Sequence, residues 1–433
     1  MTGAQASSLA FENRACGRSN RDGCAPVTTS MAQKLQFDRW LFSATIGLSL
    51  FGVVMVYSAS AVIAQQENHN QFYYVIKQAV WTSIGFVAMF VTMHFDYQKL
   101  NSRWVVYGAL LVTVLLLVAV FGFRPINGAR RWIRYSSLSL QPSEIAKLTL
   151  VIFLARFLER RAGDEDSFFR TFVPCMLVIG LLAGLVIKEP DLGTALMLAI
   201  AGVTICFAAG VRPRHVFYAS VPALLYVGKM MIFTPFRMRR LASFIDPWSD
   251  AQGAGYQTVQ SLIAVGSGGM HGLGYAQGRQ KLLYLPFAHS DFIFAVIGEE
   301  LGLVGAAIVV LVFAIFLWRG VRTALRAPDR FGMLLGLGIV VGIVAQALLN
   351  ISVVLAIVPN KGIPLPFISY GGSSLVPTLA SVGILLNISQ YAALGKRAPA
   401  DGEYEDDWEE APRARKRRPP RQRATAVARA RYG

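Results

Sequence analysis

Long uncharged apolar runs constrain this chain more than any other feature of its sequence. The runs 41–64, 192–211 and 331–359 contain no Asp, Glu, Lys or Arg. Each reaches or approaches the ~20 residues with which an α-helix crosses ~30 Å of hydrocarbon. Of the 433 residues, 54% are hydrophobic and only 15% are charged, whereas a soluble domain carries about a quarter charged residues. The pattern predicts an all-α polytopic membrane protein.

Further apolar segments with few or no charges bring the predicted number of transmembrane helices to about ten. They are 72–95, 104–121, 143–158, 171–187, 215–233, 291–318 and 374–394. A large loop, 234–290, separates the seventh and eighth spans. The predicted organisation is a polar leader (1–39), a membrane domain (40–395) and a tail (396–433).

The basic residues predict the orientation. If the leader is inside, the short inner loops hold the surplus of Lys and Arg that the positive-inside rule requires, so both termini are predicted to be cytoplasmic and loop 234–290 to be outside. The net charge of the chain is +17, and its tail is densely charged with both signs, since seven acidic residues in "DGEYEDDWEE" precede nine basic residues in "RARKRRPPRQRATAVARARYG". This distribution indicates a disordered, solvated tail, which orients the chain or docks a partner, rather than a nucleic-acid-binding surface. Translation could begin at Met1 or Met31.

Four arginines in one outer loop, "GFRPINGARRWIRYSSLSLQP", oppose this topology. Arg130 and Arg131 are its central pair. Positive charge kept outside against the rule indicates an anionic ligand such as phosphate, because guanidinium groups bind phosphate oxygens in pairs. The alternative is that these arginines bind lipid headgroups or pair with acidic residues of the loops.

Carboxylates stand at the predicted outer mouth of the eighth span, in "HSDFIFAVIGEELG". Asp291 either caps the helix or is available for chemistry, because Ser290 could provide the cap instead. Burial with hydrogen-bonding or pairing partners is favoured for Glu299 and Glu300, since charges near a bilayer are costly.

Two further polar clusters follow the same pattern. In "LQPSEIAKL", Glu144 lies in the first turn of the fourth span, and Lys147 shares its helix face, so that Lys147 must pair, snorkel or line a polar cavity. In "KEPDLGTA", Lys188 and Asp191 form a tight outer turn between the fifth and sixth spans.

The stretch "VPNKGIPLPFISYGGSSLVPT" (358–378) contains too many Pro and Gly residues to be a regular helix. Irregular backbone at membrane depth is tolerated where it lines a wet cavity, and its glycines predict an anion-binding nest of amide groups. Gln346 and Asn350 add polar contacts from the ninth span. Together the clusters predict a polar cavity that opens outward under segment 234–290. The sequence has no GxxxxGK[ST] loop to indicate nucleotide binding and no HExxH motif to indicate a zinc protease site.

Several motifs, in order, resemble those of the SEDS family (shape, elongation, division, sporulation). They are "NGARRWI", "QPSEIAKL", "EPDLGTA", "RRLASFIDPWSDAQGAGYQTVQSLIAVGSGG", "LPFAHSDFIFAVIGEELG" and "NKGIPLPFISYGGSS". The wording "FIDPWSDAQGAGYQ" is most similar to the division branch, with the elongation branch next. The resemblance implies a ten-helix peptidoglycan glycosyltransferase of the bacterial cytoplasmic (inner) membrane that uses lipid II at the septum. It also implies a class B penicillin-binding transpeptidase and periplasmic divisome activators as partners.

The resemblance implies that Asp291 is catalytic, and we expect it to act as the base of an inverting displacement. The candidates for binding the pyrophosphate or sugar of the substrate are Glu144, Lys147, Arg130, Arg131, Lys188, Asp191, Arg240, Gln257, Glu299, Lys361 and Ser373. A divalent cation, Mg²⁺ or Mn²⁺, could share the neutralisation of charge, with Asp191 and Glu144 as its possible ligands, although the sequence does not establish a metal. The alternative functions are a lipid II flippase and a non-catalytic scaffold.

Overall fold

The computed structural model describes residues 37–125, 129–135, 138–233, 235–282 and 284–395. The predictions for the tail, and for all but the end of the leader, concern residues outside these ranges. Apart from one small hairpin, the regular secondary structure of the described residues is helical.

Twelve α-helices form the described fold. They are α1 (Arg39–Asn68), α2 (Tyr73–His94), α3 (Arg103–Ala119), α4 (Pro142–Glu159), α5 (Val173–Lys188), α6 (Leu192–Ala208), α7 (Pro213–Ile232), α8 (Pro235–Ile245), α9 (Tyr256–Ser267), α10 (Ile293–Ala324), α11 (Arg330–Val354) and α12 (Gly372–Gly395). Each span predicted from the sequence coincides with one of them. Seven helical segments in the described ranges are long and apolar enough to cross a membrane, and α6 is a shorter apolar helix. The multi-pass architecture is therefore established, while the count of ten spans and their orientation stay predictions.

A hairpin of two short strands departs from the all-α prediction. Strand β1 (Ile133–Tyr135) pairs antiparallel with β2 (Leu138–Leu140), with Ile133 opposite Leu140. It lies between α3 and α4, directly after the paired arginines. Three-residue strands are too short to leave a clear alternating pattern in a sequence.

The segment 234–290, predicted only as a loop, contains α8 and α9. Helix α9 packs against α10 and α11, and the Ser261 hydroxyl donates a buried hydrogen bond to the Val354 carbonyl (2.8 Å). The segment is thus partly helical and packs on the end of the bundle where α10 begins and α11 ends. We call this end the site end.

The sequence predicted a regular helix from Asp291 onward, and the structure of α10 differs from this prediction. The helix begins at Ile293 and is interrupted at Gly302, whose φ of 66° and ψ of −165° are not helical. The break is filled by the loop 268–274, which we call the break loop. Four main-chain hydrogen bonds, amide to carbonyl, join the break loop to the two sides of the break: Leu273 to Glu299 (3.0 Å), Gly274 to Glu300 (3.0 Å), Leu303 to Gly269 (2.9 Å) and Val304 to Met270 (3.2 Å).

The irregular segment 355–371 between α11 and α12 agrees with the sequence analysis, but its glycines do not form the predicted nest. A nest needs residues with alternating right- and left-handed backbone conformations. Gly362, Gly371 and Gly372 do not adopt positive φ. Gly362 and Gly372 instead allow close approaches, Gly362 to Asp291 and Gly372 to the Trp81 indole.

The centre of the bundle is formed by α11 and α12, whose apolar stretches are 61% and 67% buried, compared with 22% for α2 and α3. Helices α2 and α12 pack closely because small residues let their backbones approach. A Cβ added at Gly85 would lie 2.5 Å from Leu379, and one at Gly383 would meet Met89 and Thr92.

Ion pairs join the helices at the end opposite to the site end. Asp38 caps α1 and pairs with Arg319 of α10 (2.6 Å). Arg330, at the start of α11, pairs with Glu165 (2.7 Å). These pairs hold helix ends together far along α10 from Asp291.

Candidate active site

Asp291 does not cap α10. The residue before the helix is Phe292, which makes no side-chain capping bond, and the Ser290 hydroxyl donates to the Phe287 carbonyl (3.4 Å) instead. The capping alternatives for Asp291 and Ser290 are therefore wrong. The Asp291 carboxylate is left available for another role.

Three donors hold the backbone that carries Asp291. The Asn350 side-chain amide donates to the Asp291 carbonyl (2.8 Å), the Ser369 hydroxyl to the Ser290 carbonyl (2.6 Å), and the Tyr370 amide to the His289 carbonyl (2.9 Å). Asn350 also donates to the Ile363 carbonyl (2.7 Å). Helix α11 and the segment 355–371 thereby fix three consecutive residues.

The Asp291 carboxylate lies directly over Gly362. A Cβ added at Gly362 would lie 2.7 Å from Oδ2 of Asp291. Burial raises the pKa of Asp291 to about 6, the guanidinium groups of Arg131 and Arg240 oppose this rise, and the charge of Asp191 adds to it. At neutral pH the carboxylate is ionised yet more basic than an exposed aspartate, which suits a general base.

The "KEPD" turn lies within electrostatic reach of Asp291. Asp191 caps α6 by accepting hydrogen bonds from the Thr194 amide (3.1 Å) and hydroxyl (2.8 Å). Arg131 donates to the main-chain carbonyls of Glu189 (3.2 Å) and Pro190. The turn thus holds one guanidinium and one carboxylate within electrostatic reach of Asp291.

Glu189, which the sequence analysis did not select as a site residue, is fully buried in this turn. Neither of its carboxylate oxygens has a hydrogen-bond partner among the described residues. Burial raises the pKa of Glu189 to about 8, and the nearby charge of Asp191 adds to the rise. Glu189 is therefore largely protonated at neutral pH, and it adds little negative charge near an incoming anion.

Arg240 reaches the site from α8. Its guanidinium donates to the Asn360 carbonyl (3.4 Å), and the Asn360 amide donates to Oε1 of Gln257 (2.7 Å) on α9. Two candidates from the large segment are thus joined to the segment 355–371. Lys361, next to Asn360, is half-buried, and burial lowers its pKa.

Lys147 and Glu144 form the pair that their spacing predicted, at 2.8 Å. The Lys147 ammonium also donates to Oε1 of Gln346 (2.6 Å), whose amide donates to the Pro364 carbonyl (2.9 Å). A cavity of about 50 Å³ adjoins this group. Lys147 therefore ties α4 to α11 and to the segment 355–371.

The remaining candidates are more dispersed. Glu299 is buried and accepts hydrogen bonds from the Arg279 (2.6 Å) and Gln280 (3.1 Å) amides, as favoured by the burial argument. Arg130 donates to the Phe121 carbonyl (2.7 Å), and Lys188 is exposed at the end of α5. Ser373 is buried, and its hydroxyl has no partner among the described residues.

His289, Ser369 and Tyr370 were not selected from the sequence. The His289 ring contacts the rings of Tyr74 (4.8 Å) and Tyr370 (5.5 Å), which also contact each other (5.2 Å). Burial lowers the pKa of His289 to about 4, so the ring is neutral at neutral pH and adds no positive charge near Asp291. The motifs "HSD" and "ISYGG" contained these residues, but only the fold shows that they contact each other.

The two side chains considered as cation ligands are already engaged, Glu144 with Lys147 and Asp191 with Thr194. Within the described ranges, no three His, Cys, Asp or Glu side chains come together in a way that could hold a metal ion.

Comparisons with known proteins agree with this fold. A family model described as "Cell cycle protein", for FtsW, RodA and SpoVE, matches residues 39–394. The probable peptidoglycan glycosyltransferase FtsW of Geobacter metallireducens is 40% identical over 356 residues, which are 82% of this chain and 95% of that protein. Stage V sporulation protein E of Bacillus subtilis is 40% identical over 365 residues, covering 83% and 99% of the two chains.

Two solved structures resemble the chain. One comes from work on "structural coordination of polymerization and crosslinking by a peptidoglycan synthase complex", with a TM-score of 0.70, 27% identity and coverage of 83% of this chain and 99% of that one. The other is the rod shape determining protein RodA of Thermus thermophilus, with a TM-score of 0.60, 26% identity and coverage of 82% and 97%. The motifs, the fold and these matches agree, and the chain belongs to the SEDS family, the cell cycle proteins that include FtsW, RodA and SpoVE.

Proposed function

We propose that this protein is a peptidoglycan glycosyltransferase that polymerises lipid II at the outer face of the bacterial cytoplasmic membrane. The observation that carries the proposal is the Asp291 carboxylate, held over Gly362 and coupled electrostatically to Arg131 and Arg240. A base beside two guanidinium groups matches a substrate pair that offers a hydroxyl and a pyrophosphate. The relatives named as probable peptidoglycan glycosyltransferases support the same activity.

In the proposed reaction, the 4-hydroxyl of the acceptor sugar attacks the anomeric carbon of the donor. Asp291 takes the hydroxyl proton, the new glycosidic bond forms, and the bond to the polyprenyl pyrophosphate breaks with its electron pair on the leaving oxygen. Such a general base contributes about 10²–10⁴-fold to the rate. Direct displacement inverts the anomeric centre.

We assign the binding of the leaving pyrophosphate to Arg131 and Arg240, because both guanidinium charges are close enough to influence the pKa of Asp291. Preorganised charges of this kind supply much of the stabilisation in such reactions. Lys147 is bonded to Glu144 and Gln346, and we assign it to the wall of the substrate cavity. A divalent cation, if the reaction uses one, would arrive with the pyrophosphate, and activity with and without EDTA tests this.

The remaining assignments extend this proposal. The ten spans would place both termini in the cytoplasm and the site end outside. The resemblance to a chain of a peptidoglycan synthase complex supports a class B transpeptidase partner. The likeness to proteins named FtsW supports septal synthesis with periplasmic divisome activators.

The test is polymerisation of purified lipid II in liposomes by the wild type and by Asp291→Asn, each with the cognate transpeptidase. The matched control is Asp166→Asn, an exposed carboxylate that pairs with Arg212 and makes no contact with the site residues described above. We expect long glycan strands from the wild type and the control, and a loss of at least about 10²-fold in Asp291→Asn.

Equal polymer from all three proteins would remove Asp291 as the base. If none makes polymer while lipid II appears on the opposite leaflet, the protein is a flippase. If none makes polymer and the lipid stays in place, yet the transpeptidase is still recruited, the protein is a scaffold.

A further inference from the structure

The half of α10 next to Asp291 is separated from the rest of that helix. Residues 293–301, which we call the outer half, end at Gly302, where the helical backbone is interrupted. The carbonyls of Glu299 and Glu300 bond to the break loop instead of to the next turn of the helix. The orientation of the outer half therefore depends on how firmly the preceding chain is held against it.

The side chains of Glu299 and Glu300 hold the chain that follows the break loop. Glu299 accepts hydrogen bonds from the amides of Arg279 (2.6 Å) and Gln280 (3.1 Å). Gly278 makes this approach possible, because a Cβ added there would lie 2.8 Å from Oε2 of Glu299. Glu300 accepts a hydrogen bond from the Ala276 amide (3.1 Å).

Glu300 also pairs with Lys281 in the interior. The two charged atoms are 2.6 Å apart, and the side chains are only 0% and 5% exposed. The Ser58 hydroxyl of α1 donates to Glu300 (2.7 Å) and accepts from Lys281 (2.9 Å). We call these three residues the latch, because they join α1, the outer half of α10 and the preceding chain.

A buried ion pair contributes little net stability, since removing both charges from water offsets their attraction. Such a pair instead favours one arrangement over its alternatives, because any other arrangement leaves a buried charge unpaired. The catalytic scheme above uses neither Lys281 nor Glu300. The latch is therefore better explained by a positional role than by stability alone.

Between Lys281 and Asp291, the chain follows a series of turns. The Leu285 amide donates to the Gln280 carbonyl (2.8 Å), and the Ser290 amide donates to the Phe287 carbonyl (3.0 Å). The side chains of Leu285 and Ala288 are fully buried between these bonds. The segment containing Asp291 is thus fixed by α11 on one side and by the latch on the other.

We propose that Lys281 is a positioning residue for Asp291, acting through its buried pair with Glu300 to orient the outer half of α10. This inference rests on the proposed function. It assigns a role in the reaction to a lysine that has no contact with the Asp291 carboxylate.

The test compares the wild type, Lys281→Met and the double variant Lys281→Met/Glu300→Gln, with Glu165→Gln as a control that weakens an ion pair at the opposite end. Two quantities are measured: kcat and KM for lipid II polymerisation, and the rate of trypsin cleavage after Arg279. Arg279 is exposed, and its amide is bonded to Glu299. The cleavage rate reports on the latch without depending on activity.

We expect Lys281→Met to lower kcat by about tenfold or more while KM changes less than about threefold, because the reacting groups are misaligned rather than the substrate lost. Cleavage after Arg279 should become at least about tenfold faster, because Glu300 is left buried and unpaired. The double variant replaces the pair with neutral groups of similar size and should recover both values to within about threefold. Glu165→Gln should match the wild type.

An unchanged kcat in Lys281→Met, or a double variant no better than the single one, would overturn the positioning role. So would a lower kcat with unchanged cleavage. If the wild type itself makes no polymer, the proposed function fails, and the cleavage rates still show whether the latch exists.

Discussion

Replacing Gly362 with alanine changes the position of the Asp291 carboxylate without changing its chemistry. Gly362 does not adopt positive φ, so an alanine fits its backbone conformation. The added Cβ would lie 2.7 Å from Oδ2 of Asp291. Either the carboxylate or the segment around residue 362 must move.

The required shift is about 0.7 Å, the difference between 2.7 Å and ordinary van der Waals contact at 3.4 Å. A misplacement of about 1 Å in a reacting group costs about 10²-fold in rate. We therefore expect kcat to fall between about tenfold and 10²-fold. No pyrophosphate-binding side chain is removed, so KM should change less than kcat.

The assay is lipid II polymerisation with the cognate transpeptidase, together with a thermal unfolding midpoint for each variant. Gly266→Ala is the matched control, because Gly266 lies in α9 at the same end and a Cβ there would meet nothing within 4 Å. Wild-type kcat in Gly362→Ala would refute the placement of Asp291 over Gly362. A loss of activity that follows a loss of folded protein would refute the catalytic explanation.

Other predictions concern titration, pairing and anchoring. Asp291 must be deprotonated to act as the base, and burial raises its pKa to about 6. A pH profile of kcat/KM should therefore fall as the pH decreases through about 6. The residual activity of Asp291→Asn should lack this step. Lys147→Met leaves Glu144 only 4% exposed without its ammonium partner. It should lower the free energy of unfolding by about 3–5 kcal/mol, with recovery in Lys147→Met/Glu144→Gln, measured by denaturation in detergent. Asn350→Leu removes the donor from two carbonyls. It should destabilise the fold by about 2–5 kcal/mol and lower kcat, whereas Asn350→Gln should lose less stability and less activity.

Local patterns were sufficient for much of the fold. Each apolar run with few or no charges predicted a helix, and the structure has a helix at each of them. A helix satisfies its backbone hydrogen bonds within its own segment, so no distant contact is needed to predict it. The pair of Glu144 and Lys147 was also predictable from local sequence, since helix geometry places residues three apart on one face. Asp291 was selected through its motif, and the structure adds its orientation.

The features that the sequence did not predict depend on chain segments that lie far apart. The interruption at Gly302 is stable only because the break loop supplies the missing hydrogen bonds. The pair of Lys281 and Glu300 joins residues 19 positions apart on different elements. The approach of Gly362 to Asp291 likewise depends on how α10 and the segment 355–371 pack, and no short pattern encodes such contacts.

The close packing of α2 against α12 also determines the order in which the bundle can be completed. The Thr92 hydroxyl of α2 donates to the Ala380 carbonyl of α12, 288 positions later in the chain. Just past α2, the Tyr97 amide donates to Asn387 (3.0 Å), which in turn donates to the Met93 carbonyl (2.7 Å). The Thr92 hydroxyl also bonds the Ala88 and Met89 carbonyls of its own helix, but the Tyr97 amide and the Met93 carbonyl obtain these partners only after the last helix has been made. A chain truncated before α12 therefore leaves both groups without these partners and α2 without the helix that packs against it, so the bundle is completed only at the end of synthesis.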